Sequence, residues 1–168
     1  MLKDAKIEGL DVLVIGTEQP WVEIVCLGLG AGSVTTVEYG KINSEHPKLK
    51  TTTPRELNQL YRNGELKEYD FAVSFSSLEH SGLGRYGDQI NPWGDIVWTA
   101  KLSCLVKKGG RILVGVPNGG SDFVFYNAHR VYGPNRWPML LQNWEAIDAR
   151  PDGAVDHLMV LAVNKRPE

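Results

Sequence analysis

Residues 11–38 read DVLVIGTEQPWVEIVCLGLGAGSVTTVE, and this stretch decides the fold. Asp11 to Gly16 is a short β-branched run ended by glycine, the pattern of a buried strand. Thr17 is placed to cap a helix in which Trp21, Ile24, Val25 and Gly28 recur at i, i+3, i+4 and i+7 and so share one apolar face. Gly30 and Gly32 stop that helix, and Ser33 to Glu38 is the next strand. Strand, helix and strand in so short a span make a βαβ unit, which implies parallel strands joined by a right-handed crossover.

The same alternation continues outward. Lys48 to Thr52 reads as a short edge strand. Thr53-Pro54-Arg55-Glu56 follows as a capping box with proline at the first helical position, and Leu57, Leu60 and Tyr61 share one helical face before Asn63-Gly64 ends it. Tyr69 to Phe75 is another buried strand. Asn91-Pro92 opens a helix whose apolar stripe is Trp93, Ile96, Val97, Ala100 and Cys104, closed by Lys107-Lys108-Gly109-Gly110. Arg111 to Val116 is a strand ended by Pro117. The tail differs: Trp144 to Asp148 and His157 to Asn164 are strands joined by the turn-rich Arg150-Pro-Asp-Gly153, hence an antiparallel pair. The expected fold is therefore α/β: Rossmann-like, doubly wound, mostly parallel, with a C-terminal antiparallel hairpin.

With 168 residues the chain is expected to form a single domain over 1–168. Its 42% hydrophobic and 23% charged residues suit a water-soluble globular protein, and a net charge of -2 gives no electrostatic case for nucleic acid. Cys26 and Cys104 both fall on apolar helix faces and read as reduced packing residues. No apolar run reaches the roughly 20 residues of a membrane span, and the first residues do not read as a signal peptide. A complete chain would be cytoplasmic; the compartment and the oligomeric state are otherwise open.

In an open α/β sheet, ligands sit beyond the carboxyl ends of the strands. Ser74 to Asp88, SFSSLEHSGLGRYGD, masses polar groups at such an end. Asn118-Gly-Gly-Ser-Asp122 leaves the end of the next strand, and His129-Arg130-Val-Tyr-Gly-Pro-Asn135-Arg136 follows it. His80 and His129 with Asp88 or Asp122 lack tight ligand spacing, so no metal is expected.

The chain resembles class I S-adenosylmethionine (SAM)-dependent methyltransferases from about Asp11 to Lys165. The matching segments are Val12 to Gly16 with Thr17-Glu18, Glu38 at the end of the second strand, Tyr69 to His80, and LVKKGGRILVGVP at Leu105 to Pro117. More narrowly, EHSGLGRYGDQINPWGD together with AHRVYGPNRWPMLLQNWEAID resembles domain of unknown function 268, a family near the methyltransferases with no established reaction.

The resemblance implies SAM as cofactor and a methyl-transfer activity, with O-methylation of a small polar or glycan-like acceptor as the expected reaction. It implies a cofactor site of Gly16, Thr17, Glu18, Glu38, Tyr39, Ser76 and Ser77. Of the family's G-x-G-x-G loop only Gly16 matches; Glu18 and Pro20 stand at the other glycine positions, so the segment reads either as a divergent SAM loop or as a plain turn. Glu38, about 20 residues after Gly16, is where an acid accepts both ribose hydroxyls, or else is a solvated strand end. Tyr39 would lie against the adenine. His80 is the candidate catalytic base, because imidazole titrates near neutrality, or else a structural histidine. Glu79, Arg85, Asn118, His129, Arg130 and Arg136 are the candidate acceptor contacts. Arg85 with Asp88 reads equally as an ion pair fixing the loop, and His129, Arg130 and Arg136 as a loop-pinning network. The alternative to an enzyme is a catalytically silent Rossmann-like binding or scaffold domain that has lost SAM.

Overall fold

A computed structural model describes residues 1–40, 42–151 and 156–167. Among these residues nine strands and four α-helices follow in the order β1 (Asp11–Ile15), α1 (Trp21–Gly28), β2 (Ser33–Val37), β3 (Leu49–Thr52), α2 (Pro54–Arg62), β4 (Tyr69–Phe75), α3 (Gly94–Leu105), β5 (Val106–Pro117), β6 (Phe123–Val124), β7 (Arg130–Val131), α4 (Arg136–Leu140), β8 (Trp144–Pro151) and β9 (His157–Asn164). Seven strands form one sheet in the order β3-β2-β1-β4-β5-β9-β8. Neighbours from β3 to β5 run parallel, while β9 is antiparallel to both β5 and β8. This is the α/β sheet the sequence implied. The β6–β7 pair is a separate two-stranded antiparallel sheet that the sequence did not reveal.

Strand alternation feeds two cores. Leu13, Ile15, Ala72, Ile112 and Val114 face the layer of α2, α3 and α4, where Leu57, Leu102 and Leu140 meet them. Val12, Val14, Val34, Phe71 and Val73 face α1, with Val22 and Cys26, and the N-terminal turn around Ala5. Each fully buried aliphatic chain contributes about 1.5–3 kcal/mol. The chain winds outward in both directions from β1, so the crevice opens beyond Ile15, Val37 and Phe75.

The helix faces depart from the expected stripes. In α1 the buried side chains are Val22, Glu23 and Cys26, while Trp21, Ile24 and Val25 are exposed. Glu23 turns inward because Thr36 Oγ1 donates to its Oε1 at 2.6 Å. Thr17 is no cap: Pro20 holds that position, and the Thr17 hydroxyl donates to the Gln19 carbonyl. In α3 the buried face is Asp95, Trp98, Thr99, Leu102 and Ser103, leaving Trp93, Val97, Ala100 and Cys104 exposed. The Thr99 and Ser103 hydroxyls satisfy themselves on the Ile96 and Ala100 carbonyls, so they enter the core without an orphaned donor. Cys104 is thus not a packing residue. Cys26 is, and burial pushes its thiol up to about 12.

In α2 the capping box at Thr53 and Glu56 forms, but only Leu57 of the expected face is buried. Lys107 to Gly110 continues as β5 rather than closing α3, and Lys107 pairs with Asp70 at 2.5 Å. The hairpin turn expected at Arg150 to Gly153 lies, beyond Pro151, outside the described residues. Among the described residues, no helix is long and apolar enough to cross a membrane.

Candidate functional site

A cleft of about 720 Å³ lies over the carboxyl ends of β1, β2 and β4, lined among others by Gly16, Thr17, Glu18, Glu38, Tyr39, Ser76, Ser77 and His80. Its floor is set by β1. Gly16 has φ +68°, and a Cβ there would stand 1.8 Å from Ser77 Oγ. Only glycine lets the turn after β1 lie this close to the loop after β4.

Glu38 ties two of these turns together. Its Oε2 accepts from the Thr17 amide at 2.9 Å and its Oε1 from the Tyr39 amide at 2.7 Å. Each carboxylate oxygen keeps acceptor capacity beyond that single bond. Tyr39, Ile42, Pro54 and Trp98 line the same end, and the Trp98 indole N–H points at the Tyr39 hydroxyl at 3.4 Å. An apolar slot beside a carboxylate is thus present where a nucleoside was expected.

At the other end Ser76 sits at φ 49°, a left-handed conformation that costs an L-residue about 1–2 kcal/mol. Its hydroxyl donates to Glu79 Oε1 at 2.8 Å. Glu79 is buried, and its second oxygen has no hydrogen-bond partner among the described residues. His80 Nδ1 lies 2.7 Å from the Ala128 carbonyl, which can only accept, so Nδ1 carries the proton. Its Nε2 is the basic nitrogen, 3.7 Å from Glu79 Oε1. His157 approaches the same oxygen to 3.8 Å from β9, with its ring stacked on Phe75 and neither nitrogen hydrogen-bonded among the described residues. The sequence reading missed His157, which looked like an ordinary strand start; its only signal was the pairing of β9 beside Pro117.

The remaining candidates are placed differently. His129 does not line the cleft, but its ring stands 6.0 Å from that of His80. Burial, and then the neighbouring His80, hold the His129 imidazole below its usual value. Arg85 does not pair with Asp88. It donates to the Asn127 carbonyl at 2.8 Å and lies over the Tyr86 ring, while Asp88 accepts from the Gly82 amide at 2.5 Å.

Arg130 and Arg136 are engaged inside the protein, as the loop-pinning alternative has it. Arg130 is buried and donates to the carbonyls of Glu79, Ser81, Asn91 and Pro92. Arg136 grips the fully buried Asp95 through Nε at 2.8 Å and Nη2 at 2.6 Å, and Tyr132 donates to the same carboxylate at 2.8 Å. Both arginines are pinned because a guanidinium near the sheet end finds free carbonyls and a buried carboxylate closer than solvent. Asn118 is likewise engaged, accepting from the Trp137 indole at 2.8 Å.

Among the described residues lining the cleft, Glu18, Glu38 and Asp88 are acids, and none is lysine or arginine. Among the described residues no group of three His, Cys, Asp or Glu side chains is arranged to hold a metal ion.

The family model described as "Caenorhabditis protein of unknown function, DUF268" matches residues 9–163, and the chain belongs to this family. No curated protein matches the sequence. Among solved structures, 1,6-didemethyltoxoflavin-N1-methyltransferase of Burkholderia thailandensis, with bound 1,6-didemethyltoxoflavin and S-adenosylhomocysteine, is similar at TM-score 0.65 and 17% identity, over 95% of this chain and 72% of that one. An S-adenosylmethionine-dependent methyltransferase from Mesorhizobium loti matches at TM-score 0.65 and 9% identity, over 95% and 93%. The fibrillarin pre-rRNA processing protein of Methanococcus jannaschii matches at 0.63 and 12%, over 97% and 69%. At such identities the likeness establishes the fold, that of the class I methyltransferases.

Proposed function

We propose that this chain is a SAM-dependent methyltransferase acting on an oxygen of a small polar or glycan-like acceptor. One observation carries the reading: a cleft at the topological switch point whose described lining holds three carboxylates and no lysine or arginine. The carboxylates of Glu18, Glu38 and Asp88 suit a ligand bearing a sulfonium and an ammonium. The bound cofactor would supply an electrophilic methyl group.

The residues present fit that group. Glu38 would accept the ribose hydroxyls, with Tyr39 and Trp98 beside the base. Gly16 and Thr17 would underlie the amino-acid part, and Glu18 would face its ammonium. Ser76 and Ser77 separate this end from His80. His80, held by the Ala128 carbonyl, presents Nε2 to take the proton of an acceptor hydroxyl. The positive charge it gains is compensated by Glu79, 3.7 Å away.

Because Glu18 and Pro20 replace two glycines of the methyltransferase loop, a second reading is a catalytically silent binding or scaffold domain that has lost SAM. Incubation with methyl-tritiated SAM and a panel of neutral hydroxylated ring compounds separates the two. Label is expected in an acceptor, with His80→Ala lowering the rate by up to about 10²–10⁴-fold. No cofactor binding and no transfer to any acceptor supports the second reading.

A further inference from the structure

Two phenylalanines stand half-exposed on β6 and just beyond it, where folding gains little from them: Phe123 at 44% and Phe125 at 50%. They are the outer rungs of a continuous row of rings. Phe123 to Phe125 is 5.0 Å between centroids, Phe125 to His129 5.2 Å, His129 to His80 6.0 Å and His80 to Tyr86 5.4 Å. All four contacts are edge-to-face, and the last two rings line the cleft. The row therefore leads from the outside of the molecule to the proposed base.

The platform is rigid although its hairpin is short. A two-stranded hairpin is marginal by itself. This one is held at its base by Asp122, which accepts from the amides of Gly133, Asn135 and Arg136 at 2.7, 3.1 and 3.0 Å. It is held at its tip by His80 on the Ala128 carbonyl and Arg85 on the Asn127 carbonyl. Half-exposed rings fixed in advance keep affinity that a mobile loop would lose to ordering. The charged groups beside the row are already engaged: Asp122 accepts from three amides, and Arg85 donates to the Asn127 carbonyl and lies over the Tyr86 ring.

We propose that Phe123, Phe125, His129 and Tyr86 form the acceptor subsite, and that the acceptor carries a neutral ring with an apolar face. A pyranose or an aryl ring has this chemistry, lying against the phenylalanines while its substituent hydroxyl reaches His80. The proposal rests on the methyl-transfer reading for its consequence, and the experiment keeps the two apart.

The ¹⁵N-labelled full chain is titrated with methyl β-D-glucopyranoside, phenyl β-D-glucopyranoside and phenol while backbone amide shifts are followed. Saturable shifts are expected at residues 123–129 and at Tyr86. Response to the methyl glucoside assigns a pyranose, and response to phenol alone assigns an aryl ring. Phe125→Ala should weaken the response about 2- to 13-fold, the worth of one aromatic contact, and leave S-adenosylhomocysteine affinity unchanged. Tyr126→Ala, whose ring is 98% exposed and outside the row, should leave the response unchanged. No saturable shift at the hairpin with any of the three compounds overturns the proposal. So does equal weakening in Tyr126→Ala, or binding to phosphatidylcholine vesicles through these residues in place of a ring response. Ring binding at the hairpin in a chain that does not bind S-adenosylhomocysteine keeps the subsite and removes the methyl-transfer reading instead.

Discussion

Gly16→Ala tests the closure of the cleft most severely. Two costs add. The alanine must adopt φ +68°, a left-handed conformation worth about 1–2 kcal/mol against an L-residue. Its methyl would stand 1.8 Å from Ser77 Oγ and 2.6 Å from Ser77 Cβ, so rotating the hydroxyl away relieves the first clash and leaves the second. Forced overpacking of this kind costs about 1–3 kcal/mol. The expected loss is about 2–5 kcal/mol in urea unfolding, with loss of S-adenosylhomocysteine binding. Ser77→Gly removes both clashing atoms and is expected to cost only about 0.5–1 kcal/mol alone. The double variant should recover the steric part, a coupling of about 1–3 kcal/mol, and retain the conformational part. Simple additivity of the two single substitutions would refute the close approach of the two loops.

Two further outcomes follow from buried carboxylates. Asp95→Ala leaves Arg130, Arg136 and the Tyr132 hydroxyl without their shared partner, and is expected to destabilise by about 3–5 kcal/mol in urea unfolding; a loss below about 1 kcal/mol contradicts the hub. Burial raises the Glu23 carboxyl above its ordinary 4.5, against the lowering effect of the Thr36 hydrogen bond. The folded state therefore holds that proton more tightly than the unfolded chain, a contribution complete below the unfolded value and lost as pH rises through the raised one. Glu23→Gln, which cannot ionise, should lose less stability than wild type as pH rises from about 5 to about 8. Parallel urea midpoints for the two proteins over that range contradict a raised Glu23.

The strands were legible because buried parallel strands are β-branched runs ended by glycine or proline, as at Val12–Gly16 and Ile112–Pro117. The helix faces were not, for one physical reason. Glu23, Asp95, Thr99 and Ser103 read as solvent-facing, yet each finds a partner inside: Thr36, Arg136 and Tyr132, and the helix carbonyls. A polar residue that is satisfied within the fold carries no sequence mark distinguishing it from a solvated one. Arg130 and Arg136 take the loop-pinning alternative: Arg130 is held mostly by backbone carbonyls, which no side-chain pattern announces, and Arg136 by the Asp95 carboxylate. The cleft residues fared better because their position follows from topology: Gly16, Glu38 and Ser76 stand just past three strand ends. His157 escaped because it comes from the antiparallel strand β9, which reaches the rim from the opposite direction.

On the proposed reading, the cleft between Gly16, Glu38 and Ser76 binds the methyl-transfer cofactor. Calorimetric titration of the chain with S-adenosylhomocysteine, in wild type and in Glu38→Ala, tests it most directly. A carboxylate accepting ribose hydroxyls contributes charge-assisted bonds of about 1.5–3 kcal/mol, so one-site binding is expected in wild type and affinity about 10- to 150-fold weaker in the variant. Melting curves of the two proteins check that the Thr17 and Tyr39 amides, which lose their acceptor in the variant, have not unfolded the cleft. Absence of heat and of any thermal shift at millimolar ligand, or equal affinity in a folded Glu38→Ala, contradicts the account.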